Sequence, residues 1–173
     1  MRERVLGSRT VFEGRFIGVR VDDVEAADGH RSTREVVSTR GAAAIVCVHR
    51  GDLVFVRQYR HAIGKILLEI PAGVVEDGES PEETAARELV EEVGLRPRKL
   101  ERLARYFASP GFTNHSLDIF FTDDVEEAQS SFDEGEVIEI ERRPASSVRE
   151  LLADDTVTDS KTLLGLALYA LRG

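Results

Sequence analysis

Gly73-Val-Val-Glu-Asp-Gly-Glu-Ser-Pro-Glu-Glu-Thr-Ala-Ala-Arg-Glu-Leu-Val-Glu-Glu-Val-Gly-Leu95 places seven glutamates in 23 residues, and its local signals are those of a loop, a helix and a stop. Ser80 suits the N-cap, Pro81 the first helical position, and Glu83 completes a capping box in which the first turn's side chains and backbone N–H groups satisfy one another. Gly94 supplies the stop. The spacing therefore predicts a helix over 80–93. At about 100° per residue, Ala85, Ala86, Leu89, Val90 and Val93 gather on one side, to face a sheet. Glu88, Glu91 and Glu92 fall within an arc of about 100° on the other.

That acidic arc admits two readings, a solvated face or a cation site. Glu88 and Glu92 are like charges at i,i+4, a spacing that costs roughly 0.2 to 0.5 kcal/mol in an isolated helix. Glu91 and Glu92 also sit near the helix C-terminus, where the macrodipole disfavours anions. Arg87 is the only basic residue between Lys65 and Arg96, so the carboxylates are expected to be largely unneutralised within the segment. A divalent cation relieves both problems. Glutamate oxygens supplemented by a backbone carbonyl and waters are hard donors, suited to Mg²⁺ or Mn²⁺ and not to Zn²⁺, which prefers His or Cys.

Outward from this helix the chain alternates in the manner of strands. Thr10–Glu13, Phe16–Val24 and Ser32–Val37, with a turn at Asp28-Gly29, predict an N-terminal antiparallel meander. Ala42–Val48 and Leu53–Gln58 predict core strands joined by a hairpin at Arg50-Gly51-Asp52, and Ile66–Ile70 leads into Pro71-Ala72-Gly73. After the helix, strands are expected at Leu100–Phe107, Leu117–Thr122 and Val137–Glu141, separated by loops over 109–115 and 126–136. Helices are expected at Ala145–Ala153 and Ser160–Leu171, the latter capped by Asp159. This order fits an α+β domain with helices layered on a mixed sheet better than a doubly wound parallel sheet, which would alternate strand and helix regularly. One domain is expected overall, with residues 1–40 as an N-terminal strand segment and 41–173 as the main body.

Composition excludes several function classes. A net charge of −9 and a pI near 5.0 are wrong for a general binder of nucleic-acid backbone. Cys47 stands alone in the apolar run 42–48, so no intrachain disulfide forms and the thiol reads as a small buried hydrophobe. The N-terminus lacks an apolar signal region and no run approaches the roughly 18 apolar residues that span a bilayer, so a cytoplasmic location and no membrane partner are expected.

The opening stretch resembles the signature of the Nudix hydrolases, G-x5-E-x7-R-E-U-x-E-E-x-G-U with U aliphatic. Every fixed position is filled, by Gly73, Glu79, Arg87, Glu88, Leu89, Glu91, Glu92, Gly94 and Leu95. The resemblance implies a Nudix α/β/α sandwich whose loop-helix-loop binds Mg²⁺ (Mn²⁺ as substitute) and cleaves a nucleoside diphosphate linked to another moiety. It implies Glu88, Glu91 and Glu92 as metal ligands, the Ala72 carbonyl as a further ligand, and Glu79 with Arg87 as the brace of loop and helix. Such chemistry needs the ion, because a pyrophosphate diester's negative charge repels an attacking water.

Upstream, Val56-Arg-Gln-Tyr-Arg60 and Leu67-Leu-Glu-Ile-Pro-Ala-Gly73 resemble segments of the ADP-ribose pyrophosphatases. Downstream, Ser109-Pro110-Gly111 places a proline fifteen residues beyond Leu95, as in that subgroup, and Thr158–Thr162 is similar to the start of its last helix. The resemblance implies Arg57, Tyr59, Arg60, Pro110 and Gly111 as substrate-binding residues. Each has a plainer reading: the arginines as edge-strand surface, Tyr59 as packing, Pro110-Gly111 as a turn. His115 reads as a loop surface residue. The resemblance also implies a general base in the acidic loop Phe132–Glu136, Glu134 matching best and Glu136, across Gly135, second; the plainer reading is a solvated acidic loop. Ser38-Thr-Arg-Gly41 departs from the His-Pro-Gly of many relatives, and Gly135 stands where another acidic residue is common. Both leave room for another nucleoside diphosphate sugar or a dinucleotide. A noncatalytic nucleotide-sensing module of the same fold is a further alternative, although such modules commonly lose the box glutamates. The subgroup resemblance also implies a homodimer with exchanged N-terminal strands.

Overall fold

A computed structural model describes residues 2–130 and 137–172. Contacts divide the chain into two units, Met1–Gly41 with Tyr106–Ser116, and Ala42–Arg105 with Leu117–Gly173.

The first unit is built on three antiparallel strands in sequential order, β1 (Arg4–Glu13), β2 (Ile17–Glu25) and β3 (Arg31–Thr39). The meander read from the sequence is present, and its first strand begins six residues earlier than Thr10. Register is fixed by pairs such as Val19 with Val37, and β1 carries irregularities between Val5 and Gly7 and between Thr10 and Phe12. Asp22 is buried, and hydrogen bonds from Ser8 and Arg20 hold its carboxyl below the usual range. The loop containing Pro110 and Gly111 belongs to this unit. Val37 N–H donates to Phe112 O, and Thr39 N–H to Asn114 Oδ1 at 2.9 Å.

The second unit carries the main sheet. Its strands are β4 (Ala42–His49), β5 (Asp52–Arg60), β6 (Lys65–Glu69) and β7 (Ala72–Val74), then β8 (Leu95–Pro97), β9 (Glu101–Phe107), β10 (Ser116–Thr122), β11 (Val125–Glu127) and β12 (Ile138–Pro144). The helices are α1 (Pro81–Val93), α2 (Val148–Leu152) and α3 (Ser160–Ala170). The sheet runs β12-β5-β4-β10-β9, with β6 added on β5 and β7 on β4, while β8 and β11 pair separately. It is mixed, because β10 runs parallel to β4 and the pairings of β5 and β7 are antiparallel. The hairpin between β4 and β5 turns through Arg50 and Gly51, both at positive φ.

Helix α1 lies on one face. Ala85, Leu89 and Val93 form one buried cluster with Ala43, Ile45, Cys47, Val54, Val56 and Phe120. Burying the larger of these side chains, Leu89, Ile45, Phe120 and the valines, contributes roughly 1.5 to 3 kcal/mol each. Cys47 is fully buried, and desolvation pushes its thiol up to about 12, so it is an inert core residue. Helix α3 meets the opposite set of side chains: a Cβ on Gly165 would lie 2.9 Å from Val46 Cγ2 and Ile70 Cδ1, which is how closely backbone and sheet approach. The two helices and the sheet between them make the expected α/β/α sandwich.

The helix signals hold in detail. Ser80 and Glu83 make both bonds of the capping box, and Gly94 closes α1 in the left-handed conformation. Asp159 caps α3 through Thr162 N–H. The helix expected over 145–153 is instead a 3-10 turn, Ala145–Ser147, followed by the five residues of α2. The strands β7, β8 and β11 have three residues each, too few to leave a periodic pattern.

Candidate active site

The site is assembled from β7, the loop after it and α1. Arg87, one turn and a half into the helix, is its hub. Its Nε donates to Glu79 Oε1 at 2.8 Å and its Nη2 to Glu79 Oε2 at 3.1 Å, a fork on one carboxylate. Nη2 also donates to the Val74 carbonyl at 3.2 Å. Nη1 bridges Glu88 Oε1 at 2.7 Å and Glu91 Oε2 at 2.8 Å. One guanidinium therefore serves three glutamates. The expectation of largely unneutralised carboxylates is corrected here: counting basic residues along the chain missed that a planar group with five N–H donors can serve all three.

Glu79 is fixed from several sides. Thr84 Oγ1 donates to its Oε2 at 2.7 Å, as does Glu76 N–H at 3.2 Å, while Glu79 N–H donates to Glu76 O. The hydrogen bonds from Arg87 hold the Glu79 carboxyl at about 2, against partial desolvation and with help from Thr84 and Glu76. A carboxyl depressed in the folded state adds stability above its unfolded value, and loses that contribution as pH falls through the folded one. The melting difference between the native chain and Glu79→Gln is thus expected to be constant above about pH 5, on the order of 1 to 2 kcal/mol. It should shrink below the unfolded carboxyl's ordinary 4.5 and vanish near 2. Melting curves from pH 2 to 7 check this; a difference that grows on acidification would remove the brace.

Glu92 points inward. It is 5% exposed, and its Oε2 accepts from Ala72 N–H at 3.1 Å. The helix face is consequently rotated from the apolar pattern: Thr84 and Glu92 are buried, whereas Ala86 and Val90 are half-buried. Gly73 provides the space for Glu88. A Cβ there would lie 1.7 Å from Glu88 Oε1, so only a glycine lets the strand and this carboxylate share the position.

Among the described residues no three acidic, histidine or cysteine side chains converge as a ready metal cage. Glu88 and Glu91 turn to Arg87, and Glu92 turns to Ala72. The donor set nevertheless fits a hard divalent cation. It is all oxygen, and one cationic nitrogen already bridges two of its carboxylates.

The other sequence-predicted residues divide. Arg57 pairs with Glu141 at 3.2 Å, and Arg60 forms a fork on Glu69 at 2.7 and 2.6 Å. Arg60 stands in the field of the box: its basicity is raised by the hydrogen bonds of Glu69, against burial, and further by the charges of Glu69, Asp159 and Glu92. Tyr59 is exposed and edge-on to His61. Pro110 and Gly111 form the turn in the first unit, where His115 Nδ1 lies 3.1 Å from Arg40 O. Glu134 and Glu136 lie outside the described residues. Sequence reasoning missed Thr84, Glu69 and Lys161. The first was legible as a hydroxyl five residues from Glu79; the last two are 92 positions apart and carry no local signal.

A glutamate-bearing helix braced by arginine, packed over a mixed sheet and approached by a strand glycine, is the loop-helix-loop arrangement that the Nudix resemblance implied. Residues 38–164 match the NUDIX domain model, and residues 3–37 match that of the nucleoside diphosphate sugar hydrolase N-terminal domain. The chain belongs to the Nudix hydrolase family. It is 33% identical to the ADP-ribose pyrophosphatase of Bacillus subtilis (strain 168), over 99% of this chain and 95% of that protein. It is 31% identical to the methanol dehydrogenase activator of Bacillus methanolicus, over 98% of this chain and 94% of the other. A crystal structure of an ADP compounds hydrolase superposes with a TM-score of 0.92 at 27% identity, covering 99% of this chain and 94% of that one.

Proposed function

We propose that this Nudix hydrolase is a Mg²⁺-dependent pyrophosphohydrolase that cleaves ADP-ribose to AMP and ribose 5-phosphate. The observation that carries the reading is the bridging of Glu88 and Glu91 by one guanidinium nitrogen beside buried Glu92, an oxygen set held together by a positive charge. Substrate choice is supported by full-length similarity to a protein named ADP-ribose pyrophosphatase.

Glu88, Glu91, Glu92 and the Ala72 carbonyl are the residues that would hold the metal. When bound there, the ion supplies neutralisation of the diphosphate and a water of lowered pKa. Glu79 and Arg87 keep the helix and loop in register, so the carboxylates do not have to be ordered at the moment of reaction. Arg57 and Arg60 bring donors to the diphosphate oxygens and Tyr59 a ring to the substrate, while the substrate role of Pro110 and Gly111 rests on the subgroup resemblance alone. The attacking water's proton passes to a loop carboxylate, for which the resemblance offers Glu134 or Glu136. A homodimer is part of this reading. It is supported by the exposed apolar side chains Val5, Val11, Phe12, Phe16 and Ile17 on the N-terminal strands and the turn between them, in a chain read as cytoplasmic.

A second reading, hydrolysis of a wider set of nucleoside diphosphate compounds, is favoured by the family matched at residues 3–37 and by the ADP compounds hydrolase. Hydrolysis of ADP-ribose is measured beside GDP-mannose, a dinucleoside polyphosphate and NADH, with and without Mg²⁺, with products identified. We expect ADP-ribose to show a kcat/KM at least about tenfold above the others, equivalent to about 1.4 kcal/mol. Equal values establish the wider reading. No hydrolysis of any of them sinks both.

A further inference from the structure

The last helix is tied to Arg60 by a chain of charged groups that the reaction as described does not use. Glu69, at the end of β6, is 1% exposed and receives two cations. Arg60 forks onto both of its oxygens, and Lys161 Nζ, itself 9% exposed as a residue, donates to Oε2. Lys161 is held in turn by Asp159 Oδ2 at 3.0 Å. Asp159 is the N-cap of α3, accepting from Thr162 N–H at 2.9 Å and Thr162 Oγ1 at 2.6 Å. The same Thr162 hydroxyl accepts from Ile70 N–H at 2.9 Å, which fastens the helix start to the residue after Glu69.

Burial pushes the Glu69 carboxyl up, but the hydrogen bond from Arg60 and the charge and hydrogen bond of Lys161 hold it below the ordinary range. It is a fixed anion. Arg60 is different: its side chain is 40% exposed, and the fork occupies Nε and Nη2, leaving the N–H groups of Nη1 outside the pair. Its guanidinium also feels the charge of Glu92.

We propose that Lys161, anchored by Asp159, is a positioning residue that sets Arg60 through Glu69 to receive the diphosphate. This rests on the reading of Arg60 as a substrate ligand. The physical reason lies in the buried carboxylate's demands. A carboxylate has about four acceptor directions, and one left with a single cation in a desolvated place draws that cation inward to satisfy them. With Lys161 on Oε2, Glu69 holds Arg60 only by its fork, and the outer donors remain directed to substrate. The start of α3 is then part of the substrate site, although none of its residues needs to touch the nucleotide.

The test is a double-mutant cycle in the full chain, with ADP-ribose and Mg²⁺. Arg60→Ala is expected to raise KM about tenfold or more, and Lys161→Met to raise it about tenfold with kcat within about threefold. In the Arg60→Ala background, Lys161→Met should add less than about twofold, since nothing remains to position. If Lys161→Met does not fold, Asp159→Asn, which keeps the cap, carries the cycle with a KM rise of about threefold that also disappears without Arg60. A Lys161→Met effect of equal size in both backgrounds overturns the proposal, as does an altered melting temperature with unchanged KM. An unchanged KM in Arg60→Ala overturns the ligand reading and the proposal together. A raised KM in Arg60→Ala with a normal one in Lys161→Met overturns the proposal alone.

Discussion

Glu92→Gln is expected to lower kcat for ADP-ribose hydrolysis by about 10³-fold, a loss of about 4 kcal/mol of transition-state stabilisation, with the fold preserved. Preservation follows from what Glu92 does for the structure. Its Oε2 accepts a hydrogen bond from Ala72 N–H at 3.1 Å, and glutamine offers a carbonyl oxygen of the same reach. The charge is removed, and the second carboxylate oxygen is exchanged for an NH2 donor. Because the side chain is 5% exposed, no water replaces that charge, and the loss falls on whatever cation the site holds. Glu91 makes a useful contrast: it is 31% exposed, so the same change there is expected to cost less. Steady-state hydrolysis with Mg²⁺ gives the rates, melting curves report the fold, and Mn²⁺ titration followed by electron paramagnetic resonance reports metal affinity. Near-normal turnover by Glu92→Gln would remove the helix glutamates from the chemistry. Lost turnover with unchanged Mn²⁺ affinity would leave them essential but not as ligands.

The contrast between Glu92 and Arg87 also shows where reading the sequence stops. Local rules recovered α1 to within a residue, because Ser80, Pro81, Glu83 and Gly94 act on their own neighbours. They recovered the core strands, because period-2 alternation or a continuous apolar run survives whatever packs against it. Resemblance supplied the identity of the box. What local rules missed are features created by tertiary closure. Glu92 is buried because β7 brings the Ala72 N–H to it, and β7 is three residues long. Arg87 neutralises three carboxylates because the loop returns Glu79 to the helix, so net charge along the segment said little about charge in space. Glu76, with no evident role in the sequence, turns out to fasten that loop through its backbone, exchanging bonds with Glu79. The Glu69–Lys161 pair spans 92 residues and was beyond any window of periodicity.

Gly73→Ala is the second large effect, and it acts on catalysis without replacing a charged residue. The added methyl would stand 1.7 Å from Glu88 Oε1 and 2.0 Å from Glu88 Cδ, well inside the contact distance of any pair of heavy atoms. The φ of Gly73 lies outside the left-handed region, and the residue pairs with Ala43 between β7 and β4, so alanine is tolerated by the backbone there. Glu88 must therefore move. It is held by Arg87 Nη1 at 2.7 Å, and that nitrogen also holds Glu91, so displacement of one carboxylate disturbs the other. We expect kcat to fall by about 10²- to 10³-fold, with a stability cost of about 1 to 3 kcal/mol from the overpacked contact. The comparison that isolates the cause is with Glu88→Gln and the double variant. If the methyl acts by evicting Glu88, Gly73→Ala combined with Glu88→Gln should be no slower than the worse single variant, since the same group is being removed twice. Multiplying losses would mean that Gly73 serves the reaction through its backbone instead, by the close approach of substrate to β7. Full activity in Gly73→Ala would show that the place of Glu88 beside the strand is not needed for the reaction, and would remove Gly73 from the site.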